Sequence, residues 1–232
     1  MIEITELRKS YHGIEVLHVP ELHIKRGESV GLVGNNGAGK TTLLSLLLDL
    51  IQPDGGTVAL GQVPVRGDDR WKHFTCAFID ESFLIGYLTA WEYFYLLGQF
   101  RGIGAVQVEE VIARYEEFLP AATLSQPVFI RDLSKGNQRK VGIISTLIGA
   151  PDLIVLDEPF ANLDPSSQYQ LKRLVNTLRE QQNITFLISS HDLSHTVEIS
   201  DRIIALRAGR IEKDLYTNPE TLEELTAFFH HQ

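Results

Sequence analysis

The feature that most constrains this chain is a glycine-rich segment between two apolar runs. Residues 34–41 read Gly-Asn-Asn-Gly-Ala-Gly-Lys-Thr, which matches the pattern G-x-x-x-x-G-K-[ST]. The glycines let the backbone wrap tightly, so successive N–H groups point at one phosphate group. Residues 29–33 before the segment predict a strand, and residues 40–50 after it predict a helix whose N-terminus favours an anion. The sequence therefore predicts a strand–loop–helix unit that binds phosphate.

Within this segment, two side chains carry the chemistry. Lys40 can reach the β- and γ-phosphates of a nucleotide, and the hydroxyl of Thr41 can ligate Mg²⁺. The alternative is a glycine turn without function. The predicted strand before the segment and the predicted helix after it disfavour this alternative.

Length and composition fit one globular domain that needs no cross-links. The chain has 232 residues, of which 44% are hydrophobic and 22% are charged, and this length can bury a sizeable core. Its single cysteine, Cys76, excludes a disulfide framework within the chain and a cysteine-based zinc site. A net charge of −9 argues against nucleic acid as the main partner, because phosphate backbones require clustered lysine and arginine.

No segment has the pattern of a signal peptide or a membrane span. The first residues carry early acids and no apolar run. The longest aliphatic stretch, residues 43–51, is broken by Ser45 and Asp49 and falls short of the roughly 20 residues that a bilayer requires. If the protein serves a membrane, we expect it to do so through a separate partner.

The order of apolar segments predicts an α/β fold. Residues 1–30 read as short alternating strands, and strand–helix alternation in the last third indicates a parallel sheet covered on both faces. From about residue 84 to residue 148 the pattern is helical, which indicates an insertion into one domain of residues 1–232. The predicted strands are 29–33, 57–60, 153–156, 185–189 and 202–207, and the predicted helices are 40–50, 91–100, 106–118, 135–148, 166–181 and 193–199.

Two further segments carry candidate chemistry. The apolar run 153–156 ends in Asp157 and Glu158, which places both at the carboxyl edge of the sheet, where α/β folds bind ligands. Asp157 would hold Mg²⁺ through water, and Glu158 would polarise the attacking water. Residues 133–138, Leu-Ser-Lys-Gly-Asn-Gln, open a helix with Ser134 as N-cap, and such a helix start is also an anion site.

In this order, the segments resemble the ATP-binding subunit of an ABC transporter, over residues 7–211. The resemblance implies a P-loop NTPase (RecA-like) α/β core with a parallel sheet, an N-terminal antiparallel β-subdomain and an inserted α-helical subdomain, with ATP and Mg²⁺ as ligands. The family signature is typically Leu-Ser-Gly-Gly-Gln. This chain keeps Leu133, Ser134 and Gly136 but has Lys135 and Asn137, a Leu-Ser-Lys-Gly form that resembles the bacterial ABC-2 branch.

The resemblance assigns roles to single residues. His191 follows a predicted strand and matches the switch histidine, which contacts the γ-phosphate and the catalytic Glu158. The signature completes the ATP site of the opposite subunit, so Ser134, Lys135 and Gly136 are expected to act in trans. The implied ATP-binding residues are Tyr11, Val16, Gly34, Asn35, Asn36, Gly37, Ala38, Gly39, Lys40, Thr41 and Thr42. Tyr11 matches the aromatic residue that stacks on adenine; the alternative is a strand-end aromatic that packs on the core.

One family position holds a different residue type. The family places a glutamine after the strand near Phe78, where it meets Mg²⁺ and water, and counting back from residues 88–89 puts Asp80 there, with Glu81 as the alternative register. A carboxylate can ligate Mg²⁺ directly, but it adds negative charge beside a triphosphate. The implied metal ligands are Thr41, Asp157 and Asp80. The alternative is that Asp80 is a turn residue and that the metal uses only Thr41, Asp157, ATP and water.

The implied function is ATP hydrolysis that drives transport through a separate transmembrane permease. Two copies of the chain, or this chain and a similar one, would sandwich two ATP molecules, and the dimer would close on binding and reopen on hydrolysis. Subunits of the ABC-2 branch commonly serve export. Because the chain would act on a separate permease, we expect it to lie peripherally on the cytoplasmic face of the membrane. The alternative is a soluble ATPase of the same family that acts on nucleic acid, ribosomes or protein, although the charge disfavours nucleic acid.

Overall fold

Two β-sheets and the helices around them form the fold. The computed structural model describes residues 1–124 and 127–230; residues 125 and 126 of the predicted helical insertion and residues 231 and 232 of the predicted domain lie outside the described residues. The strands are β1 (Ile2–Tyr11), β2 (Ile14–Ile24), β3 (Ser29–Val33), β4 (Gly55–Leu60), β5 (Val63–Pro64), β6 (Thr75–Phe78), β7 (Leu153–Asp157), β8 (Thr185–Ser190), β9 (Arg202–Arg207) and β10 (Arg210–Tyr216). The helices are α1 (Lys40–Leu47), α2 (Ala90–Phe100), α3 (Ala105–Ala113), α4 (Ala121–Leu124), α5 (Lys135–Ser145), α6 (Pro165–Gln182), α7 (Leu193–Ile199) and α8 (Thr221–His230).

The larger sheet has the strand order β10-β9-β3-β8-β7-β6 among the described residues. Strands β9, β3, β8, β7 and β6 run parallel, and β10 pairs antiparallel at one edge. Every residue of β3, β7 and β8 is buried, which explains why their sequences read as continuous apolar runs. The predicted parallel sheet is confirmed, and its geometry brings the ends of β3, β8 and β7 to one edge.

The smaller sheet is antiparallel and has the order β2-β1-β4-β5. Its inward side chains, Ile2, Ile4, Leu17 and Val19 among them, belong to the same apolar cluster as α1. The predicted antiparallel β-subdomain is therefore confirmed, although β1 and β2, with 10 and 11 residues, are long and not short. Tyr11 and Val16 lie on either side of the β1–β2 turn, which places both beside the segment that leads into α1.

Helices α2 to α5 lie between β6 and β7, as expected for an inserted helical subdomain. The start of α2 is fixed by a capping box: Glu92 N–H donates to Thr89 Oγ1 at 3.3 Å, and Thr89 N–H donates to Glu92 Oε2 at 2.8 Å. Phe94 and Val108 are fully buried between α2 and α3 and belong to the same apolar cluster as β7. The helical segment therefore shares a core with the sheet and holds α5 against it.

Three predicted helix ends are wrong. Helices α1, α3 and α5 end at residues 47, 113 and 145, whereas the apolar pattern continues to residues 50, 118 and 148. The side chains that prolong the pattern, such as Phe118 and Ile148, are buried although they follow the helices. Burial alone cannot mark a helix end, because a turn that packs on the core is as apolar as the helix before it. The sequence patterns also failed to mark β10 and α8, and the strand near Phe78, which is β6, was expected only from the family resemblance.

The ring of Phe78, on β6, packs directly against α5 at Gly142. A Cβ added to Gly142 would lie 2.1 Å from Cε2 of Phe78, a separation that no side chain can occupy. Only glycine allows the helix and the ring to lie this close. The contact therefore sets the distance between α5 and the sheet at β6.

We expect Gly142→Ala to lower the free energy of unfolding by about 1–2 kcal/mol. Overpacking costs about 1–3 kcal/mol, and the better helix propensity of alanine offsets part of that loss. Urea denaturation followed by circular dichroism measures the change. The control is Gly55→Ala, because its added Cβ would meet nothing within 4 Å. Equal stability of both variants would contradict the close approach.

Candidate nucleotide-binding site

A cavity of about 350 Å³ lies where the glycine-rich segment meets the β1–β2 turn and the end of β7. Two groups of residues line it: side chains that can contact a ring, and a loop whose backbone can contact phosphate. The lining residues are Tyr11, Val16, Asn35, Asn36, Gly37, Ala38, Gly39, Lys40, Thr41, Thr42 and Glu158. The structure thus brings together all the residues assigned to ATP except Gly34, the first residue of the loop, which does not line the cavity.

The loop requires glycine at two positions for different reasons. A Cβ at Gly34 would lie 2.5 Å from the carbonyl oxygen of Leu206 on β9. Gly39, the N-cap of α1, has φ +105°, a left-handed conformation that L side chains rarely adopt. These two constraints fold the segment back over the start of α1, so the first N–H groups of that helix face the cavity.

Lys40 is buried at the base of the loop. Its Nζ donates to the carbonyl oxygen of Gly34 at 2.6 Å and lies 3.5 Å from Oε1 of Glu158. Only 7% of the lysine side chain is exposed, so its charge depends on these nearby oxygens. The ammonium group therefore lies among oxygen atoms at the cavity wall and has little contact with solvent.

Asp157 connects α1, β7 and β8 at the sheet edge. Its Oδ2 accepts a hydrogen bond from Thr41 Oγ1 at 2.8 Å, and its Oδ1 accepts one from Ser189 Oγ. The carboxylate is 5% exposed. Two hard oxygen donors from Thr41 and Asp157 thus lie side by side, which is the donor chemistry that Mg²⁺ prefers.

Glu158 and His191 contact each other directly. Nδ1 of His191 lies 2.8 Å from Oε2 of Glu158, and the backbone N–H of His191 donates to the same oxygen at 3.3 Å. Glu158 has φ +48°, a strained conformation for a non-glycine residue. Its backbone N–H donates to the carbonyl oxygen of Ser189 at 3.1 Å. The carboxylate is therefore aimed by its own backbone conformation and by His191.

Residues Ser134, Lys135 and Gly136 lie outside this cavity among the described residues. Ser134 caps α5, with its Oγ accepting from the N–H of Asn137 at 3.2 Å. Lys135 is exposed, and Gly136 packs so closely that a Cβ would lie 2.9 Å from the carbonyl oxygen of Asn162. The segment thus presents a helix start to solvent beside the loop that precedes α6.

Asp80 lies next to the site but faces elsewhere. The β6–β7 register pairs Phe78 with Leu156, so Asp80 leaves the sheet alongside Glu158. Its Oδ1 accepts from the N–H of Ser82 at 2.6 Å, and hydrogen bonds from Ser82 hold the pKa of the Asp80 carboxyl below its ordinary value. Within the described residues, Asp80 does not line the cavity, and its role as a metal ligand stays a prediction.

Two residues of the site carried no sequence assignment. Ser189 binds Asp157 through its hydroxyl, and Arg139 binds the backbone of Glu158. A serine at a strand end and an arginine inside a helix have no spacing that distinguishes them from surface residues. Only their burial, which depends on the sheet order, reveals them.

Side-chain metal clusters and membrane-spanning helices are both absent from the described residues. No group of three or more histidine, cysteine, aspartate or glutamate side chains there could hold a metal ion. In the part of the chain that the structure describes, no helix is both long enough and apolar enough to cross a membrane. A metal at this site would therefore depend on hydroxyl, water or ligand oxygens as well as carboxylate.

The parallel sheet, the glycine loop between β3 and α1, and the carboxylates after β7 define a P-loop NTPase. The chain belongs to the ABC transporter family, whose model matches residues 17–161.

Individual relatives cover most of the chain. An uncharacterised ABC transporter ATP-binding protein of Synechocystis is 32% identical over 91% of this chain, and an aliphatic sulfonates import ATP-binding protein, SsuB, of Pseudomonas fluorescens is 32% identical over 92%. The chain spans 61% of the first protein's length and 76% of the second's.

A solved structure also superimposes closely. The ATP-binding cassette MJ0796, in a dimeric post-hydrolysis state bound to ADP and phosphate, matches with a TM-score of 0.84 and 26% identity. The match covers 94% of this chain and 99% of that chain. The predicted family and fold are therefore confirmed.

We expect Ser189→Ala to lower the free energy of unfolding by about 1–3 kcal/mol. The change leaves one oxygen of the buried Asp157 without its hydroxyl donor, and hydrogen bonds to charged groups contribute about that amount. Thermal and urea unfolding measure the loss. Ser194→Ala, at an exposed position of α7, is the control and should stay within about 0.5 kcal/mol. A Ser189→Ala protein as stable as the control would refute this role for the hydroxyl.

Proposed function

We propose that this chain is the ATP-binding and ATP-hydrolysing subunit of an ABC transporter and drives export through a separate membrane permease. The proposal rests on one observation: Tyr11, Val16, the glycine loop with Lys40, and Glu158 all line the same cavity. Its volume of about 350 Å³ lies within the range of small-molecule sites. The cavity offers a ring contact at one end and a hydrolytic carboxylate at the other, in the order that adenine and γ-phosphate require.

The nucleotide would lie across this cavity with its phosphates on the loop. Phosphate oxygens would replace the carbonyl oxygen of Gly34 as the partner of Lys40 Nζ, and the first N–H groups of α1 would donate to them. Tyr11 is 45% exposed, so its ring is accessible to adenine, with Val16 beside it. Family resemblance supports the same placement.

Mg²⁺ fits the oxygen atoms that the site presents. Thr41 Oγ1 donates a hydrogen bond to Asp157 Oδ2 at 2.8 Å, so the hydroxyl oxygen keeps its lone pairs for an ion while the carboxylate lies close by. We propose that Thr41 binds the ion directly and Asp157 through water. When bound, Mg²⁺ neutralises phosphate charge. Asp80 is the third proposed ligand, and it would exchange its bond to the Ser82 N–H for the ion.

Hydrolysis would use the pair formed by Glu158 and His191. His191 contacts Oε2 of Glu158, which leaves Oε1 directed towards Lys40 and the phosphate loop. A carboxylate oxygen at this position can orient and polarise a water molecule for attack on the γ-phosphate. His191 would hold the carboxylate and contact the γ-phosphate from the other side.

The signature segment would complete the site of a second subunit. Ser134, Lys135 and Gly136 lie at the exposed N-terminus of α5 and outside the chain's own cavity, as far as the described residues show. A helix start of this kind favours a phosphate. We propose a head-to-tail arrangement, in a homodimer or a dimer with a similar subunit, in which this segment contacts the γ-phosphate held by the partner. The related MJ0796 cassette is dimeric in its solved structure.

A group of exposed apolar side chains offers a docking surface for the permease. Phe83, Ile85 and Tyr87 follow β6, and Phe129 pairs beside them through the Thr89–Phe129 bridge. All four side chains are more than 40% exposed. We propose that cytoplasmic helices of the permease dock there, which places the chain on the inner face of the membrane. Export as the direction is supported by the Leu-Ser-Lys-Gly signature form, and nucleic acid is not an expected partner.

We expect Glu158→Gln to lower the rate of ATP hydrolysis by at least about 100-fold while ATP still binds. The amide keeps the shape of the side chain but cannot accept the proton of the attacking water, and a positioned acid or base contributes about 10²–10⁴-fold. A phosphate-release assay measures the rate, and gel filtration with ATP and Mg²⁺ should show a stable dimer. Glu117→Gln, in an exposed ion pair with Arg173, is the control. Normal hydrolysis by Glu158→Gln would refute the proposed role.

Lys40→Ala should weaken ATP binding by about 10- to 100-fold. The lysine supplies charged hydrogen bonds to the phosphates, each worth about 1.5–3 kcal/mol. Isothermal titration calorimetry with ATP and Mg²⁺ gives the dissociation constant. Lys72→Ala removes an exposed lysine outside the cavity and should bind like the unmodified protein. Unchanged affinity of Lys40→Ala would mean that the phosphates do not lie on this loop.

A further inference from the structure

Arg139 is a buried arginine that joins the ends of two neighbouring strands. Only 7% of its side chain is exposed. Its Nε donates to Oε1 of Glu81 at 2.8 Å, and its Nη1 donates to the backbone carbonyl oxygen of Glu158. Glu81 follows β6 and Glu158 follows β7, so one guanidinium group holds both chain segments at the edge of the sheet.

The position of this guanidinium is set by helix packing. Arg139 lies on the same face of α5 as Gly142, three residues later, where the helix makes its close approach to Phe78. Its guanidinium carbon lies 6.0 Å from the centre of the Phe78 ring. Because α5 is fixed at this distance from the sheet, the side chain has little freedom to leave its two partners.

The carbonyl bond matters because the Glu158 backbone is strained. A non-glycine residue at φ +48° persists only when its surroundings hold it there. Ser189 binds the N–H on one side of the residue, and Arg139 binds the carbonyl oxygen on the other. Together these bonds fix the direction in which the carboxylate leaves the backbone.

The other partner, Glu81, belongs to the segment that carries the exposed apolar side chains. Glu81 is the first residue of the short 3₁₀ turn Glu81–Phe83. The exposed Phe83 ends this turn, and the exposed Ile85 and Tyr87 come directly after it. Any movement of this segment would shift the Glu81 carboxylate, which is Arg139's charged partner. An unpaired buried guanidinium is costly, so Arg139 would have to move with Glu81 or lose its partner.

We propose that Arg139 is a positioning residue for hydrolysis, which holds the backbone of Glu158 in its left-handed conformation and makes that conformation depend on Glu81. The inference rests on the proposed function, in which Glu158 polarises the attacking water. It adds a physical path by which contact of a partner with residues 81–87 changes the geometry of hydrolysis. Arg139 itself is not among the residues that line the cavity within the described chain.

The test compares steady-state ATP hydrolysis by the full chain and its variants. Arg139→Gln should lower kcat by about 10- to 100-fold, the loss expected when a reacting group is displaced by about 1 Å, with KM for ATP changed less than about twofold. Arg139→Lys should recover only part of the loss, because lysine keeps the charge but lacks the two-branched donor geometry. Glu81→Gln should have an intermediate effect, and the double variant should be no slower than Arg139→Gln alone.

The matched control is Arg101→Gln. Arg101 also binds backbone carbonyl oxygens, those of Lys72, His73 and Thr75, but at the opposite end of β6. Its loss should lower the unfolding temperature and leave kcat of the folded protein unchanged. A structural effect without positioning would therefore affect both arginine variants alike.

Three results would overturn the inference: a kcat of Arg139→Gln within twofold of the unmodified protein, an equal loss of kcat in Arg101→Gln, or additive losses from Arg139→Gln and Glu81→Gln. Failure of the proposed function is a separate result, seen when Glu158→Gln hydrolyses ATP normally. If Glu158→Gln is inactive and Arg139→Gln is fully active, the positioning role alone is wrong.

Discussion

The parallel pairing of β3, β8 and β7 is the constraint on which the site depends. Its register sets Val33 beside Ser190 and Leu156 beside Ile188, so the chain leaves all three strands at the same level. The glycine loop, Glu158 and His191 are far apart in sequence, yet each follows one of these strands directly. A sheet buried on both faces tolerates no shift in register without moving apolar side chains to unsuitable neighbours. The hydrophobic core thereby fixes the spacing of polar groups at its edge.

The charged groups at this edge all have partners within a few ångströms. Lys40 is nearly buried and lies between the carbonyl oxygen of Gly34 and the carboxylate of Glu158, while Asp157 is satisfied by two hydroxyl donors. On binding, a nucleotide phosphate could replace the present partners of Lys40, and a metal ion could bind the oxygen atoms of Thr41 and Asp157. The site is therefore held together by interactions that ligand binding can exchange, and such a site needs little rearrangement of the backbone to accept a phosphate.

The fold class and the order of the chemical groups along the chain could be predicted from the sequence. Glycines with a following lysine and threonine, and an apolar run ending in two carboxylates, are local patterns whose meaning depends on only a few neighbouring residues. The contacts of Asp80 and the role of Arg139 were not predictable in this way. Asp80 turns towards Ser82 because of the 3₁₀ turn after β6, and Arg139 is buried because Gly142 brings α5 close to Phe78. Both facts are set by tertiary packing and leave no trace in residue spacing.

The same packing explains why two groups outside the cavity, the N-terminus of α5 and Arg139, bear on the site. The N-terminus of α5 carries the exposed Ser134 and the half-buried Gly136, which we propose to act on a second subunit, while Arg139, one turn further along, reaches the backbone of Glu158. If α5 moves as a rigid body, a contact at its exposed start would also shift the guanidinium. Because Glu158 occupies a strained conformation that neighbouring bonds maintain, we expect a shift of α5 to change the direction of its carboxylate. Contact at the signature and contact at residues 81–87 would thus act on one group, the backbone carbonyl of Glu158, through one side chain.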